Sequence, residues 1–194
     1  MKLLVMAGGV PFNRGLIACA LVVLALRASP IACDTQELIA TVCQSTEDHG
    51  FCTNVFKFNL KWPDTDMRGL AEIALRQGIN NASASAKYAE DLYYQTKDPQ
   101  LQQYLKTCSV SGYYPTLEHL LEGGEFLQLS SYDAMVSALL QAPKPQASSC
   151  DGQPTISGAP NPMNERNREM RILISMALAT AFELDSGVPA AGNN

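Results

Sequence analysis

Few residues in this chain are of types that do chemistry at close spacing. Only two histidines occur, His49 and His119, and neither stands at metal-ligand spacing. His119 follows Glu118 on an amphipathic stretch, which places it on a solvated helix face. No G-x-S-x-G elbow, phosphate loop or dinucleotide fingerprint is present. Glu90-Asp91 reads as a solvated face, and Asp64 and Asp66 read as helix caps. A paired-carboxylate hydrolase would need two acids facing across a cleft, which a small filled bundle rarely offers. No nucleophile–base set emerges, so the reading is a non-enzyme without cofactor or metal.

The cysteines are the other reactive residues, six in all. Cys19 lies in a removable leader, leaving Cys33, Cys43, Cys52, Cys108 and Cys150. No Cys-x-x-Cys or nearby histidine pair supplies a tetrahedral metal set. In a secreted chain these cysteines are disulfide formers. Four of them allow three connectivities, and sequence alone does not choose. Local spacing favours Cys43–Cys52 and Cys108–Cys150, worth about 2.7 and 4 kcal/mol in the chain-entropy model. Cys33 is then the odd one, removed by cleavage or left as a free thiol.

Secretion is read from residues 1–32. Lys2 and Arg14 precede the apolar run Leu16 to Leu26, followed by small residues through Ala32. That order is a signal peptide, and the run falls short of the roughly 20 residues a membrane span needs. The mature chain is expected to carry no membrane segment. Removing the leader takes away Lys2, Arg14 and Arg27 and no acid, so the formal charge moves from −5 to −8. Such a domain is poorly suited to nucleic acid, and direct binding to an acidic polysaccharide such as pectin is disfavoured. A basic protein partner would be steered toward it.

The elements that must position any site are helical. Asp34 or Thr35 caps a first short helix with Leu38, Ile39 and Val42 inward, and Ser45 to Gly50 is a turn. Asp64 or Asp66 caps a long helix whose stripe runs Leu70, Ile73, Ala74, Ala82, Ala86, Ala89, Tyr93; its alanines would admit a close neighbour. Asp98-Pro99 is a cap followed by proline at the first helical position. Leu101, Tyr104, Leu105 and Cys108 form the next stripe, resumed by Leu117, Leu120, Leu121 and Leu127. Pro115 should kink this helix, and Gly123-Gly124 should weaken it. A third helix is expected from about Ser130 to Ala142, then a long loop from Pro143 to Pro162 held by Cys150. The last helix follows Pro162 and stops before Gly187. The fold class is all-α: one helical domain over residues 33–186, an up-and-down four-helix bundle preceded by a short helical hairpin, with a disordered tail at 187–194.

Asn81-Ala82-Ser83 is a glycosylation sequon, making Asn81 a modification candidate. Tyr88, Tyr93, Tyr94, Tyr104, Tyr113 and Tyr114 could form a binding surface, although helical spacing favours core or boundary packing for most of them.

The segments Leu38 to Cys52, Asp98 to Cys108, Phe126 to Ala138, Cys150 with its neighbours, and the last helix resemble the plant invertase and pectin methylesterase inhibitor family, its pollen members especially. The resemblance implies a helical hairpin leaning on a four-helix bundle, with pairing Cys43–Cys52 and Cys108–Cys150. It also implies a stoichiometric inhibitor that covers its target's active-site cleft, in the cell wall or the vacuole. Pectin methylesterase inhibitors place acids soon after the third cysteine. With one inserted residue allowed, those positions are Val110, Pro115 and Glu118, so only the last is acidic. Ser149 matches a family hydroxyl, and Gly152 replaces an acid. Invertase inhibitors carry a Pro-Lys-Phe element, where this chain has Gly124-Glu125-Phe126 nearby.

The leading expectation is an apoplastic inhibitor of pectin methylesterase, with acid invertase as the alternative target. Contact candidates are Tyr114, Glu118, Tyr132 and Ser149, on a face centred on the second and third bundle helices, with Ser149 just before Cys150 in the loop. A carrier that encloses an apolar ligand is the reading from another class; the Ala-rich stripes argue for tight packing instead. A diverged member that inhibits nothing is the fourth, kept open by Pro115 and Gly123-Gly124.

Overall fold

A computed structural model describes residues 34–151 and 160–187. The expected leader at 1–32, Cys33, the middle of the expected loop at 152–159 and the expected tail from residue 188 lie outside the described residues. The described part contains eight α-helices and one π-helical segment, with no strand among the described residues.

A helical hairpin comes first. Asp34 caps α1 (Thr35–Cys43) by accepting from Gln36 N at 3.0 Å. Asp48 caps α2 (His49–Asn59) by accepting from Phe51 N at 2.8 Å. These side-chain oxygens satisfy donors that a helix leaves open at its start. The Cys43–Cys52 disulfide, with Cα atoms 5.6 Å apart, staples the turn. Leu38, Ile39, Val42 and Phe56 are buried against the larger body, each worth about 1.5–3 kcal/mol relative to exposure.

Polar ties hold the same hairpin in place. Arg168 pairs with Asp48, and Arg171 bridges Glu47 at 3.3 Å and Asp151 at 3.0 Å. Thr35 Oγ1 donates to Thr65 O at 2.9 Å, and Gln77 Nε2 donates to Asn59 Oδ1 at 2.7 Å.

The bundle is built from α3 (Met67–Gln95), a rod made of α4 (Pro99–Thr107), the π segment (Cys108–Tyr113) and α5 (Tyr114–Gln128), then α6 (Tyr132–Leu139) and α8 (Asn164–Asp185). Each of the four packs on two neighbours, α3 on α5 and α8, and α6 on α5 and α8, the ring of an up-and-down bundle. On α3 the buried stripe is mostly small: Ala71, Ala74, Gly78, Ala82, Ser85, Ala86 and Ala89. The small residues alternate with larger ones (Met67, Leu70, Ile73 and Leu75) near the start of the helix, and α3 packs more extensively on α8 than on any other element. At Gly78 a Cβ would sit 3.4 Å from both methyls of Leu120 on α5. Asp66, not Asp64, is the cap of α3, accepting from Gly69 N at 2.8 Å.

Four sequence expectations change here. The segment after Pro143 is not loop throughout, because α7 (Pro143–Ser149) forms a short helix in its first part. Proline at its first position is compatible with a helix start, which a composition-based loop reading overlooks. The third bundle helix is shorter than expected, Tyr132–Leu139. Leu121 leaves the inward stripe and is 47% exposed, whereas Leu120 and Leu127 are buried. The glycine pair is not simply a weakness: a Cβ on Gly123 would approach Leu139 Cδ2 to 2.9 Å, so glycine is what lets α5 and α6 meet.

Candidate binding face

The rod α4–π–α5 carries the features that set this chain apart from a plain bundle. Asp98 caps it, accepting from Gln100 N at 2.8 Å and Leu101 N at 3.2 Å, with Pro99 following. Tyr104, Leu105 and Cys108 point inward. The helix then widens over Cys108–Tyr113, and Tyr114 N reaches back five residues to Ser109 O. A π turn holds one residue more than an α turn. It ends just before Pro115, whose ring would crowd the carbonyl four residues back and cannot donate to it. The kink expected at the proline is therefore taken up as a wide turn.

Packing on the inner side fixes this turn. The Cys108–Cys150 disulfide closes beneath it, with Cα atoms 4.8 Å apart. A Cβ on Gly112 would lie 2.6 Å from Cys150 Sγ and 3.3 Å from Ser149 Cβ, so only glycine fits there. Tyr113 is fully buried and donates to Asn167 Oδ1 at 2.6 Å. Tyr104 donates to Cys150 O at 2.9 Å, and Asn167 Nδ2 donates to the same carbonyl at 2.9 Å. Burial raises the pKa of both phenols, holding them as donors. Thr116 Oγ1 adds a bond to Ala142 O at 2.9 Å. The disulfide thus sits inside a hydrogen-bond network tying the rod to both ends of α7 and to α8.

The outer side is apolar and exposed. Val110 is 55% exposed, Tyr114 40% and Leu121 47%, with exposed Glu118 between them. Positions 110, 114, 118 and 121 share one face of the rod. Glu90 on α3 accepts from Tyr114 Oη at 2.8 Å and from Ser109 Oγ at 3.2 Å. The bond to Glu90, with burial second, raises the Tyr114 pKa and keeps the phenol protonated. Glu90 is half-buried and engaged, so it is not the solvated acid the sequence suggested.

The four contact candidates do not come together. Tyr114 and Glu118 share the exposed face. Tyr132 is half-buried at the start of α6, packed against the core. It lies beyond the far end of α5, roughly 20 Å along the helix from Tyr114. Ser149 is 8% exposed and faces the π turn at Gly112, which leaves little of it for a partner. Leu121, expected inward, is exposed, and Val110, considered only as the place of a family acid, is an exposed apolar residue. Leu121 neighbours Leu120 in sequence but sits about 100° round the helix from it, so both cannot face inward equally.

Asn81 is half-buried on α3, its Nδ2 donating to Glu169 Oε2 on α8 at 3.1 Å and its Oδ1 accepting from Ser85 at 3.3 Å. The nitrogen that would carry a sugar is the one that bridges the two helices. Of the tyrosines, Tyr104 and Tyr113 are core, Tyr88 and Tyr93 are half-buried, and Tyr94 and Tyr114 are exposed. His119 is half-buried, with Nδ1 3.6 Å from Glu122.

A protein-family model described as plant invertase/pectin methylesterase inhibitor matches residues 37–180. The chain belongs to this family. Among curated proteins, the cell wall/vacuolar inhibitor of fructosidase 2 of Arabidopsis thaliana is 34% identical over 77 residues, covering 39% of this chain and 43% of that protein. The matched part is thus less than half of the relative's length. A mutant form of a pectin methylesterase inhibitor from Arabidopsis superposes with a TM-score of 0.61 at 17% identity, covering 74% of this chain and 95% of that one. A pectin methylesterase inhibitor from Arabidopsis thaliana gives 0.57 at 18% identity, covering 78% and 97%. At those identities the likeness establishes the fold, a helical hairpin and bundle with two disulfides.

Proposed function

We propose that this protein is a secreted, stoichiometric inhibitor of a plant cell-wall pectin methylesterase, not an enzyme, and that it acts by laying the α4–π–α5 face over the target's cleft. The observation that carries the proposal is that face itself: Val110, Tyr114 and Leu121 exposed in a row around Glu118, on a rod fastened from behind. Exposed apolar residues on a rigid support lose little conformational freedom on binding, and tyrosine is a frequent anchor of interfaces. Glu118 supplies the acid that the family's esterase inhibitors carry, and the acidic chain would be drawn to a basic esterase held on pectin.

Acid invertase is the second reading, favoured by the similarity to the fructosidase inhibitor. An apoplastic or vacuolar location follows from either. No helix among the described residues is long and apolar enough to cross a membrane.

The proposal is tested by complex formation. The oxidised protein, mixed with a plant pectin methylesterase, should co-elute from a sizing column as an equimolar complex, and Leu121→Glu should break it. A complex that forms equally well with Leu121→Glu would remove the α5 face from the interface.

A further inference from the structure

The hairpin end carries a surface that the binding face does not explain. Trp62 is the only tryptophan in the chain and is 73% exposed; Phe58 is 86% exposed. Lys57 and Lys61 flank them, both exposed, and neither has an ion-pair partner among the described residues. From Asn54 to Pro63 there is no acid, and the exposed Asp64 is the first. Hydrogen bonds tie the segment to the body: Asn59 accepts from Gln77, Thr65 N donates to Thr35 Oγ1 at 2.8 Å, and Thr65 Oγ1 donates to Trp62 O at 3.3 Å. Trp62 precedes the start of α3, whereas Glu90, which holds Tyr114, lies roughly 35 Å up that helix. The two surfaces are separate.

We propose that Lys57, Phe58, Lys61 and Trp62 bind a de-esterified polygalacturonate chain, tethering the inhibitor to pectin that its target has already processed. Pyranose rings present apolar C–H faces that lie flat on aromatic rings, while uronate carboxylates at the ring edges reach flanking ammonium groups. A protein partner is a poorer fit, because lysine is depleted at the centres of protein interfaces. A planar anionic membrane is poorer too, since it would face the acidic body as well as the patch. A thin polyanion can lie along the two lysines and the two rings with Asp64 the one exposed acid beside them in sequence, and acids more than about 8 Å away are screened. The net charge that argued against pectin therefore applies to the body and not to this end. The choice of a uronide among polyanions rests on the pectin methylesterase reading.

Because Trp62 is the sole indole, its emission reports this patch directly. Titrating the secreted, oxidised protein with short, fully de-esterified oligogalacturonate should give a saturable change in emission that weakens as salt rises. Loss of two exposed ion pairs in Lys57→Gln/Lys61→Gln should weaken binding about tenfold, and Phe58→Ser several-fold, with circular dichroism unchanged. Both variants should inhibit the esterase on a small soluble substrate as well as the parent does. No saturable change, equal affinity for the methyl-esterified oligomer, or tighter binding to phosphatidylserine vesicles would each overturn the proposal. Saturable uronide binding by a protein that fails to inhibit the esterase would leave the patch standing and remove the target.

Discussion

The phenol of Tyr114 donates a 2.8 Å hydrogen bond to Glu90 Oε1, joining the first α turn after the π segment to the neighbouring long helix. Ser109, at the other side of the same turn, donates to the same carboxylate oxygen at 3.2 Å. One acid on α3 thereby pins both ends of the widened turn and orients the most exposed tyrosine of the rod's outer face.

If that face is the inhibitory surface, truncating Tyr114 should cost far more than removing its hydroxyl. Tyr114→Phe loses one hydrogen bond and should weaken inhibition about fivefold, some 1 kcal/mol. Tyr114→Ala removes the anchor as well and should weaken it about thirtyfold or more, in the range of an interface hot spot. Inhibition constants from titration separate the two; an unchanged constant for Tyr114→Ala would take the face out of contact.

Two glycines of the rod should respond in opposite directions. Gly112→Ala pushes a Cβ to 2.6 Å from Cys150 Sγ, and overpacking of this kind destabilises by about 1–3 kcal/mol. Gly124→Ala meets nothing within 4 Å and should stabilise by up to about 1 kcal/mol through helix propensity. Urea denaturation of both variants would show it, and shifts of the same sign would contradict the packing described for the π turn.

The Cys108–Cys150 bond closes 42 residues, and its loss should cost about 4 kcal/mol in the chain-entropy model. It also backs the rod at Gly112. Under graded reductant, inhibition should disappear before the helical circular dichroism signal does. Full inhibition in strong reductant would show that the rod keeps its register without the bond.

The hairpin has its own acid dependence. The Phe51 N–H first, and the Arg168 guanidinium beyond it, hold the Asp48 carboxyl below its ordinary pKa. A depressed carboxylate stabilises the fold above its unfolded value, about 3.9, and that stabilisation fades as pH falls below it through the folded value. Amide protection in α1 and α2 should be flat from neutral to mildly acidic pH and fall only below about pH 4. Asp48→Asn should flatten the acid limb; an Asp48→Asn protein with the parent's acid limb would assign it to other groups.

Much of this architecture is written in local signals. Asp34, Asp66 and Asp98 are caps, the apolar stripes give the bundle, and the cysteine spacing gives the favoured pairing, all borne out by the helices and disulfides. The face of the rod was less legible. An extra residue inside a helix turns everything after it by about 100°, and no periodicity count at 3.6 residues registers that. Beyond the turn Leu120 and Leu127 were still read correctly as inward, while Leu121, one residue and about 100° further round, was carried along with them; Ser149 was singled out without the short α7 that turns it toward Gly112. Glu90 looked solvated because its partners, Ser109 and Tyr114, stand 19 and 24 residues away. Side chain pairing between helices is a property of the packed bundle, not of either helix alone.

The most direct test of the central claim is a paired titration. The secreted, oxidised protein would be added to a plant pectin methylesterase and, separately, to an acid invertase at mildly acidic pH. Stoichiometric loss of esterase activity, with invertase untouched, is the predicted result. Loss of invertase activity alone would transfer the face to the other target. Loss of neither, from a protein with a cooperative helical melt, would contradict inhibition itself.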